Sequence, residues 1–165
     1  LSNGAMMDIG IYTLYPMVVL FGRPEKVEAT GVVLSSGADG QGAVNFQYKG
    51  MNATILYSKI ANSSLPTEIQ GEEGNIILDR VNIISKVTYL PRIAAAAGKS
   101  AIPEPQDISA VTDKDEYYYE VAEFIDLVLA GKCESAINSH DNSLITLEII
   151  DEIRRQLGVV YPADR

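Results

Sequence analysis

The chain has 165 residues, a formal net charge of −9 and a pI of about 4.5. The length fits one domain of ordinary size, which can bury enough surface to fold without cross-links. The acidic balance argues against a protein that binds nucleic acid, and no apolar run reaches the roughly 18 residues of a membrane-spanning helix. The single cysteine cannot form an internal disulfide and is compatible with a reducing compartment, so a cytoplasmic location is expected.

The first predicted element is a helix from Ala5 to Phe21, with Asn3 as a plausible N-cap. Its apolar residues fall at helical spacing. They are Met7, Ile11, Leu14, Val18 and Phe21. Gly22 and Pro24 then end the helix.

The middle of the chain predicts an antiparallel sheet, because short alternating runs are separated by turn residues. The predicted strands are Lys26 to Ser35, Ala43 to Tyr48, Asn52 to Ile60, Leu65 to Gln70, Asn75 to Leu78, Lys86 to Leu90 and Ile108 to Thr112. The glycines from Gly37 to Gly42 predict a turn. A tight turn over residues 49–51 joins the second and third strands into a hairpin, whose alternating apolar set lies either on the open face of the sheet or under the helices. That set is Val44, Phe46, Tyr48, Ile55 and Tyr57.

Two helices close the chain, over Glu116 to Ala130 and Asp141 to Leu157. Each carries one apolar face. The first face contains Val121, Phe124, Ile125, Val128 and Leu129, and the second contains Leu144, Leu147, Ile149 or Ile150, Ile153 and Leu157. Ser139 or Asp141 is the expected N-cap of the last helix and Gly158 its C′ residue. The predicted fold class is α+β, an open and mostly antiparallel sheet with helices packed on one face.

Asp8 and Tyr12 lie four residues apart on the first predicted helix and therefore share a face. A tyrosine hydroxyl ordinarily ionises near pH 10, roughly, which is poor for proton transfer near neutrality. The pair therefore needs a cation, such as a lysine, and no lysine stands at helical spacing in this segment. The alternative interpretation is an amphipathic helix with an acidic first turn and a core tyrosine.

Other kinds of site have little support in the sequence. Gly40 and Gly42 do not complete a dinucleotide fingerprint, because Asn45 replaces the last glycine and a strand follows. His140 and Cys133 have no cluster of metal ligands around them, and His140 is expected to contribute to helix capping.

With these residues laid out, the chain resembles the C-terminal domain of the glucose–fructose oxidoreductase and inositol dehydrogenase (Gfo/Idh/MocA) family. The resemblance spans the chain in the family's order. It is carried by Asn3–Tyr12 with Leu20–Pro24, by Val27–Thr30, by Ile69–Ile76, and by Ile150–Gly158 with Tyr161 and Pro162. Because position 12 is a tyrosine, the chain most resembles the subgroup that includes dimeric dihydrodiol dehydrogenase. Sugar and inositol members of the family often have a histidine at this position.

The resemblance implies that residues 1–165 are the substrate and oligomerisation domain of a two-domain oxidoreductase, whose N-terminal Rossmann domain is absent from this chain. In the family that domain binds NAD or NADP and carries a catalytic lysine. Tyr12 would then be the proton donor or acceptor, and Asp8 would orient Tyr12 or the substrate. The isolated chain is expected to be inactive and to bind no cofactor.

The same resemblance implies a small-molecule substrate with a hydroxyl or carbonyl group: a sugar, a polyol or a dihydrodiol. Arg80 and Arg92 are candidate substrate-binding residues, although a solvated surface position is the simpler interpretation of both. The expected partners are the protein's own Rossmann domain and a second copy bound through the sheet, with no nucleic acid and no membrane. Two alternatives stay open: a noncatalytic binding or assembly module that retains the fold, and a plain dimerisation domain.

Overall fold

The computed structural model describes residues 4–92, 103–110 and 113–164, so the predicted Asn3 cap and residues 111–112 lie outside the described residues. The described chain divides into two compact units. The first comprises Leu1–Ser63 and Glu123–Arg165, and the second comprises Ser64–Ala122. The fold class is α+β with open antiparallel sheets, as predicted.

In the first unit, a π-helical turn over Met6–Gly10 leads into helix α1, Ile11–Phe21. Strands β1 (Lys26–Val33), β2 (Asp39–Tyr48) and β3 (Met51–Ser58) follow and form a three-stranded antiparallel sheet in that order. The predicted hairpin is confirmed, with Val44 opposite Ile55 and Tyr48 opposite Met51.

The predicted turn over Gly37 to Gly42 is wrong in its second half, since β2 begins at Asp39. The two glycines inside β2 make room for side chains instead. A Cβ on Gly40 would lie 2.8 Å from a methyl carbon of Leu34, and one on Gly42 would lie 2.3 Å from the Tyr57 hydroxyl. A strand glycine of this kind marks close approach of a neighbour, and the local sequence does not distinguish it from a turn glycine.

The core of the first unit lies between this sheet and helix α3, His140–Leu157. The alternating set of the hairpin faces the helices, which settles the alternative that the sequence left open. Its members Val44, Phe46, Tyr48, Ile55 and Tyr57 are all buried. Gln156 of α3 also covers the free edge of β1, because its amide accepts from Ala29 N at 2.7 Å and donates to Val27 O at 2.8 Å.

The ends of α3 are capped as the sequence predicts. The Ser139 hydroxyl accepts from Asn142 N at 3.1 Å, and Gly158 takes the left-handed conformation with φ +72°. The predicted apolar face is rotated, however. Leu144 and Leu147 are exposed, and the buried stripe is Thr146, Ile149, Ile150 and Ile153.

Helix α2 spans Tyr118–Leu129, so it begins later and ends earlier than the predicted range from Glu116 to Ala130. None of its residues is buried among the described residues. The apolar face that the sequence predicts is therefore exposed in this chain, and its members are Val121, Phe124, Ile125, Val128 and Leu129.

The second unit contains the antiparallel sheet β4 (Thr67–Gly71), β5 (Gly74–Leu78), β6 (Val87–Pro91) and β7 (Gln106–Asp107), in that order. The strand predicted over Ile108 to Thr112 is wrong in position, because β7 precedes it. Asp107 accepts from Ser109 N at 2.9 Å and so turns the chain at the point where the predicted strand would begin. No helix among the described residues is long and apolar enough to cross a bilayer.

Asp79 closes the loop between β5 and β6 and provides a pH-dependent prediction. It accepts from the Ser85 hydroxyl and from the amides of Ser85 and Lys86, both at 3.1 Å. These bonds, the Ser85 hydroxyl first, lower the pKa of Asp79 from 3.8 to about 2. Because the folded pKa is depressed, the stabilisation is complete above about pH 4 and is lost as the pH falls through about 2.

We therefore expect an NMR titration of the Asp79 carboxyl to show a midpoint near pH 2, and Ser85→Ala to move it toward 3.8. Ser109→Ala is the matched control, since Ser109 bonds Asp107 instead. A wild-type midpoint near the ordinary value would contradict the assignment.

Candidate active site

Asp8 and Tyr12 lie on one continuous segment, Asp8 in the π-helical turn and Tyr12 as the second residue of α1. The turn closes through the Ile11 amide, which bonds to Met6 O. A π-helical turn holds more residues than an α-helical turn, so it shifts the buried apolar position from the predicted Met7 to Met6. Such turns are frequent at functional sites. The side chains of Asp8 and Tyr12 are both exposed, Tyr12 at 56%, which contradicts the alternative that Tyr12 is a core residue.

The buried carboxylate of Asp39 anchors the start of this segment. Asp39 is 2% exposed, and its Oδ2 accepts from Met6 N at 2.7 Å. An acceptor at this position satisfies a backbone donor that the helix start leaves without an intrahelical partner. The carboxylate belongs to β2, so the sheet fixes the position of the helix that carries Asp8 and Tyr12.

Tyr57 of β3 supports the same turn from below. A Cβ on Gly10 would lie 2.5 Å from Sδ of Met6 and 3.4 Å from Cγ of the Tyr57 ring, so the glycine makes room for the Met6 side chain while the ring stays in ordinary contact with the turn. Burial first, and then the nearby Asp39 carboxylate, raises the pKa of the Tyr57 hydroxyl above its ordinary 10. The buried phenol is therefore neutral at physiological pH and acts as a support, while Tyr12 is the exposed phenol of the site.

A lysine from a distant segment supplies a cation beside Asp8. The Nζ atom of Lys59, directly after β3, lies 2.5 Å from Asp8 Oδ2. No lysine or arginine stands at helical spacing from Asp8 and Tyr12 in their own segment. Lys59 and Asp39 were missed because no local spacing links them to Asp8, and only the packing of β2 and β3 against the turn brings them there.

The other predicted site residues lie apart from this segment in the chain. Arg80 and Arg92 are both exposed and belong to the second unit. Arg92 Nη1 donates to Glu72 O at 3.1 Å, so this guanidinium stabilises the turn between β4 and β5. His140 is the first residue of α3, where its backbone amide donates to Glu134.

The two glycines that the sequence offers for a dinucleotide fingerprint do not form a phosphate-binding turn. Gly40 and Gly42 lie inside the antiparallel strand β2, and β3 follows it. A phosphate-binding glycine turn instead joins a strand to the N-terminus of a helix, where backbone amides point at the phosphates.

Gly4 makes the anchor possible, and its substitution is a test of it. Gly4 has φ +89°, and a Cβ there would lie 1.9 Å from Asp39 Oδ1. We expect Gly4→Ala to destabilise the chain by about 2–4 kcal/mol, since left-handed strain and overpacking add. Denaturant unfolding measures the loss.

Gly37→Ala is the matched control for the strain alone. Gly37 has φ +83°, and among the described residues a Cβ there meets nothing within 4 Å. It should cost about 1–2 kcal/mol. Equal losses for the two variants would show that the contact between Gly4 and Asp39 has no energetic weight.

Comparison with known proteins gives one family and several relatives. Residues 1–77 match the family described as the GFO/IDH/MocA C-terminal domain. The chain is 44% identical over 165 residues to scyllo-inositol 2-dehydrogenase (NADP(+)) IolU of Bacillus subtilis, covering 100% of this chain and 48% of that protein. It is 32% identical over 168 residues to trans-1,2-dihydrobenzene-1,2-diol dehydrogenase of Danio rerio, covering 99% of this chain and 49% of that protein. The chain thus spans about half the length of the curated relatives it matches.

Solved structures share the fold at low identity. UDP-N-acetylglucosamine 3-dehydrogenase GnnA of Acidithiobacillus ferrooxidans superposes with a TM-score of 0.75 at 16% identity, over 95% of this chain and 48% of that one. An aldose-aldose oxidoreductase of Caulobacter crescentus gives 0.73 at 20% identity, over 93% and 45%. At these identities the likeness establishes the fold alone.

Proposed function

Because this chain belongs to the GFO/IDH/MocA family of oxidoreductases, we propose that it is the C-terminal, substrate-binding domain of an NAD(P)-dependent dehydrogenase. The proposed substrate class is a polyol, a sugar or a dihydrodiol. The names of two relatives support this choice, since one is an inositol dehydrogenase and the other a dihydrobenzenediol dehydrogenase. Such an enzyme needs a second domain to hold the dinucleotide, because Gly40 and Gly42 lie inside a strand and form no phosphate-binding turn.

The observation that carries the proposal is the exposed pair of Asp8 and Tyr12 on a segment that buried groups hold in place. Tyr12 is the proposed proton donor or acceptor for the reacting oxygen of the substrate, and Asp8 orients the substrate by accepting a hydrogen bond from another of its hydroxyl groups. In an enzyme of this kind the cofactor supplies the hydride chemistry, and the protein supplies positioning and the proton. Arg80 and Arg92 stay candidates for substrate contacts.

The decisive experiment assays the intact oxidoreductase that contains this chain against inositols, sugars and dihydrodiols with NAD and NADP. We expect cofactor-dependent turnover of at least one of these classes, and none by the 165-residue chain alone. Absence of turnover by the intact protein on all three classes, with measurable binding of the same compounds, would favour the noncatalytic module.

The proposed function includes a homodimer through the face of the first sheet that lies opposite the helices. That face presents Asn45, Thr54 and Leu56, and Leu56 is 56% exposed. The two polar side chains on this face are already held by each other in the single chain, because the Thr54 hydroxyl donates to Asn45 Oδ1 at 2.8 Å. Light scattering on the intact protein tests the dimer, and Leu56→Lys should weaken it. A monomer in the wild type would rule it out.

A further inference from the structure

Lys59 lies at the candidate active site although it is remote in sequence from Asp8 and Tyr12. Its Nζ atom is 2.5 Å from Asp8 Oδ2. The Lys59 side chain is 27% exposed and that of Asp8 is 63% exposed. The ammonium group therefore approaches the carboxylate from the protein side, and the carboxylate is the more solvent-accessible member of the pair.

The backbone on both sides of this pair is tied to two consecutive residues of β2. Lys59 N donates to Gly40 O at 2.8 Å, while Asp39 Oδ2 accepts from Met6 N at 2.7 Å. One short piece of strand thus holds both the residue after β3 and the start of the turn that carries Asp8. The juxtaposition of Lys59 and Asp8 follows from the sheet rather than from a chance encounter of two long side chains.

The exit of the chain from β3 is fixed as well. The Ser58 hydroxyl accepts from Ile60 N at 3.1 Å and from Ala61 N at 2.8 Å. A side-chain oxygen that bonds two following amides holds the backbone in a turn. Lys59 lies inside this turn, so its Cα has little freedom, and the salt bridge to Asp8 orders its side chain further.

We propose that Lys59 is a positioning residue of the active site, which holds the Asp8 carboxylate so that it accepts a hydrogen bond from a substrate hydroxyl. This role rests on the proposed function. A carboxylate has two oxygens and several acceptor sites, so Oδ2 binds the ammonium while Oδ1 is available to the substrate. The Lys59 ammonium also balances the negative charge of Asp8 within the site and fixes the side-chain rotamer of Asp8.

The role predicts a specific kinetic signature. A hydroxyl that Asp8 holds equally in the bound substrate and in the transition state contributes to KM and not to kcat. We expect Lys59→Met in the intact oxidoreductase to raise KM for the polyol or dihydrodiol substrate by about 10-fold, with kcat changed less than about threefold. A loss of packing alone would not separate the two constants in this way.

Three further variants make the test specific. Lys59→Arg keeps a cation and should restore KM to within about threefold of the wild type. Asp8→Asn should raise KM by itself, and the double variant of Lys59→Met and Asp8→Asn should be no worse than Asp8→Asn alone, since a positioning residue has no effect without its target. Lys49→Met removes an exposed lysine from the turn between β2 and β3 and controls for net charge.

The outcomes separate this proposal from the proposed function. If Asp8→Asn raises KM and Lys59→Met does not, or if their effects multiply in the double variant, the role of Lys59 is overturned and the enzyme assignment stands. If the wild-type protein turns over no sugar, polyol or dihydrodiol, the proposed function fails, and the role of Lys59 in it fails too. Circular dichroism of each variant verifies that the fold is retained.

Discussion

Replacing Tyr12 with phenylalanine in the intact oxidoreductase should lower kcat by about 10²- to 10⁴-fold, the range expected when one general acid or base is removed. The ring stays, so substrate binding should change little, and folding should change little because Tyr12 is 56% exposed. The expected result is a loss in kcat with KM retained, the opposite of the signature expected for Lys59→Met. Steady-state assays that follow the nicotinamide absorbance measure both constants.

Tyr15→Phe is the matched control for this prediction. Tyr15 lies one helical turn further along α1, and its hydroxyl donates to Asn138 rather than facing the site. Losing that bond should cost about 0.5–1.5 kcal/mol of stability and leave kcat unchanged. If Tyr12→Phe keeps kcat within threefold of the wild type, Tyr12 is not the proton donor or acceptor, although the family membership is unaffected.

Replacing Phe46 with alanine should destabilise the first unit by about 3–5 kcal/mol, the usual cost of truncating a buried phenylalanine. Phe46 is 1% exposed and lies in the core between the three-stranded sheet and the helices. The loss is a large fraction of the roughly 5–15 kcal/mol that stabilises an ordinary domain. The free energy of unfolding from urea titrations is the measurement.

Leu56→Ala provides the matched control on the opposite face of the same sheet, where Leu56 is 56% exposed in the single chain, with unfolding measured at a dilution at which the proposed dimer is dissociated. It should change the stability by about 0.5 kcal/mol or less, as surface substitutions do. Phe46→Leu, which keeps most of the volume, gives a folded intermediate case if Phe46→Ala does not fold. A loss for Phe46→Ala no larger than that for Leu56→Ala would mean that the sheet does not pack as described.

Several parts of the fold could be predicted because they depend on residues close together in sequence. The hairpin of β2 and β3 follows from strict alternation around Gly50, and the ends of α3 follow from Ser139 and Gly158. The predictions were wrong where residues distant in sequence decide whether a position lies in a strand or is buried. Gly42, for example, resembles a turn residue until the Tyr57 ring of the neighbouring strand is placed against it.

Helix faces show the same division. The sequence predicts that α2 and α3 are amphipathic, but the buried side of α3 is centred on Ile149, Ile150 and Ile153 rather than on Leu144 and Leu147. The apolar face of α2 is predicted correctly as a pattern, yet none of its residues is buried among the described residues. Periodicity indicates that a face exists, whereas its partner decides which residues are buried.

The sequence by itself determined the family and the antiparallel strands and indicated Asp8 and Tyr12 as a candidate pair, because these depend on local pattern and on motifs that stand together in the chain. It also indicated that the pair lacked a cation. Only the tertiary structure placed Lys59 beside Asp8 and the buried carboxylate of Asp39 under the same segment, since both residues are remote from that segment in the sequence. The physical reason is that a sheet brings distant segments to one helix end, and the spacing of residues along the chain contains no record of that approach.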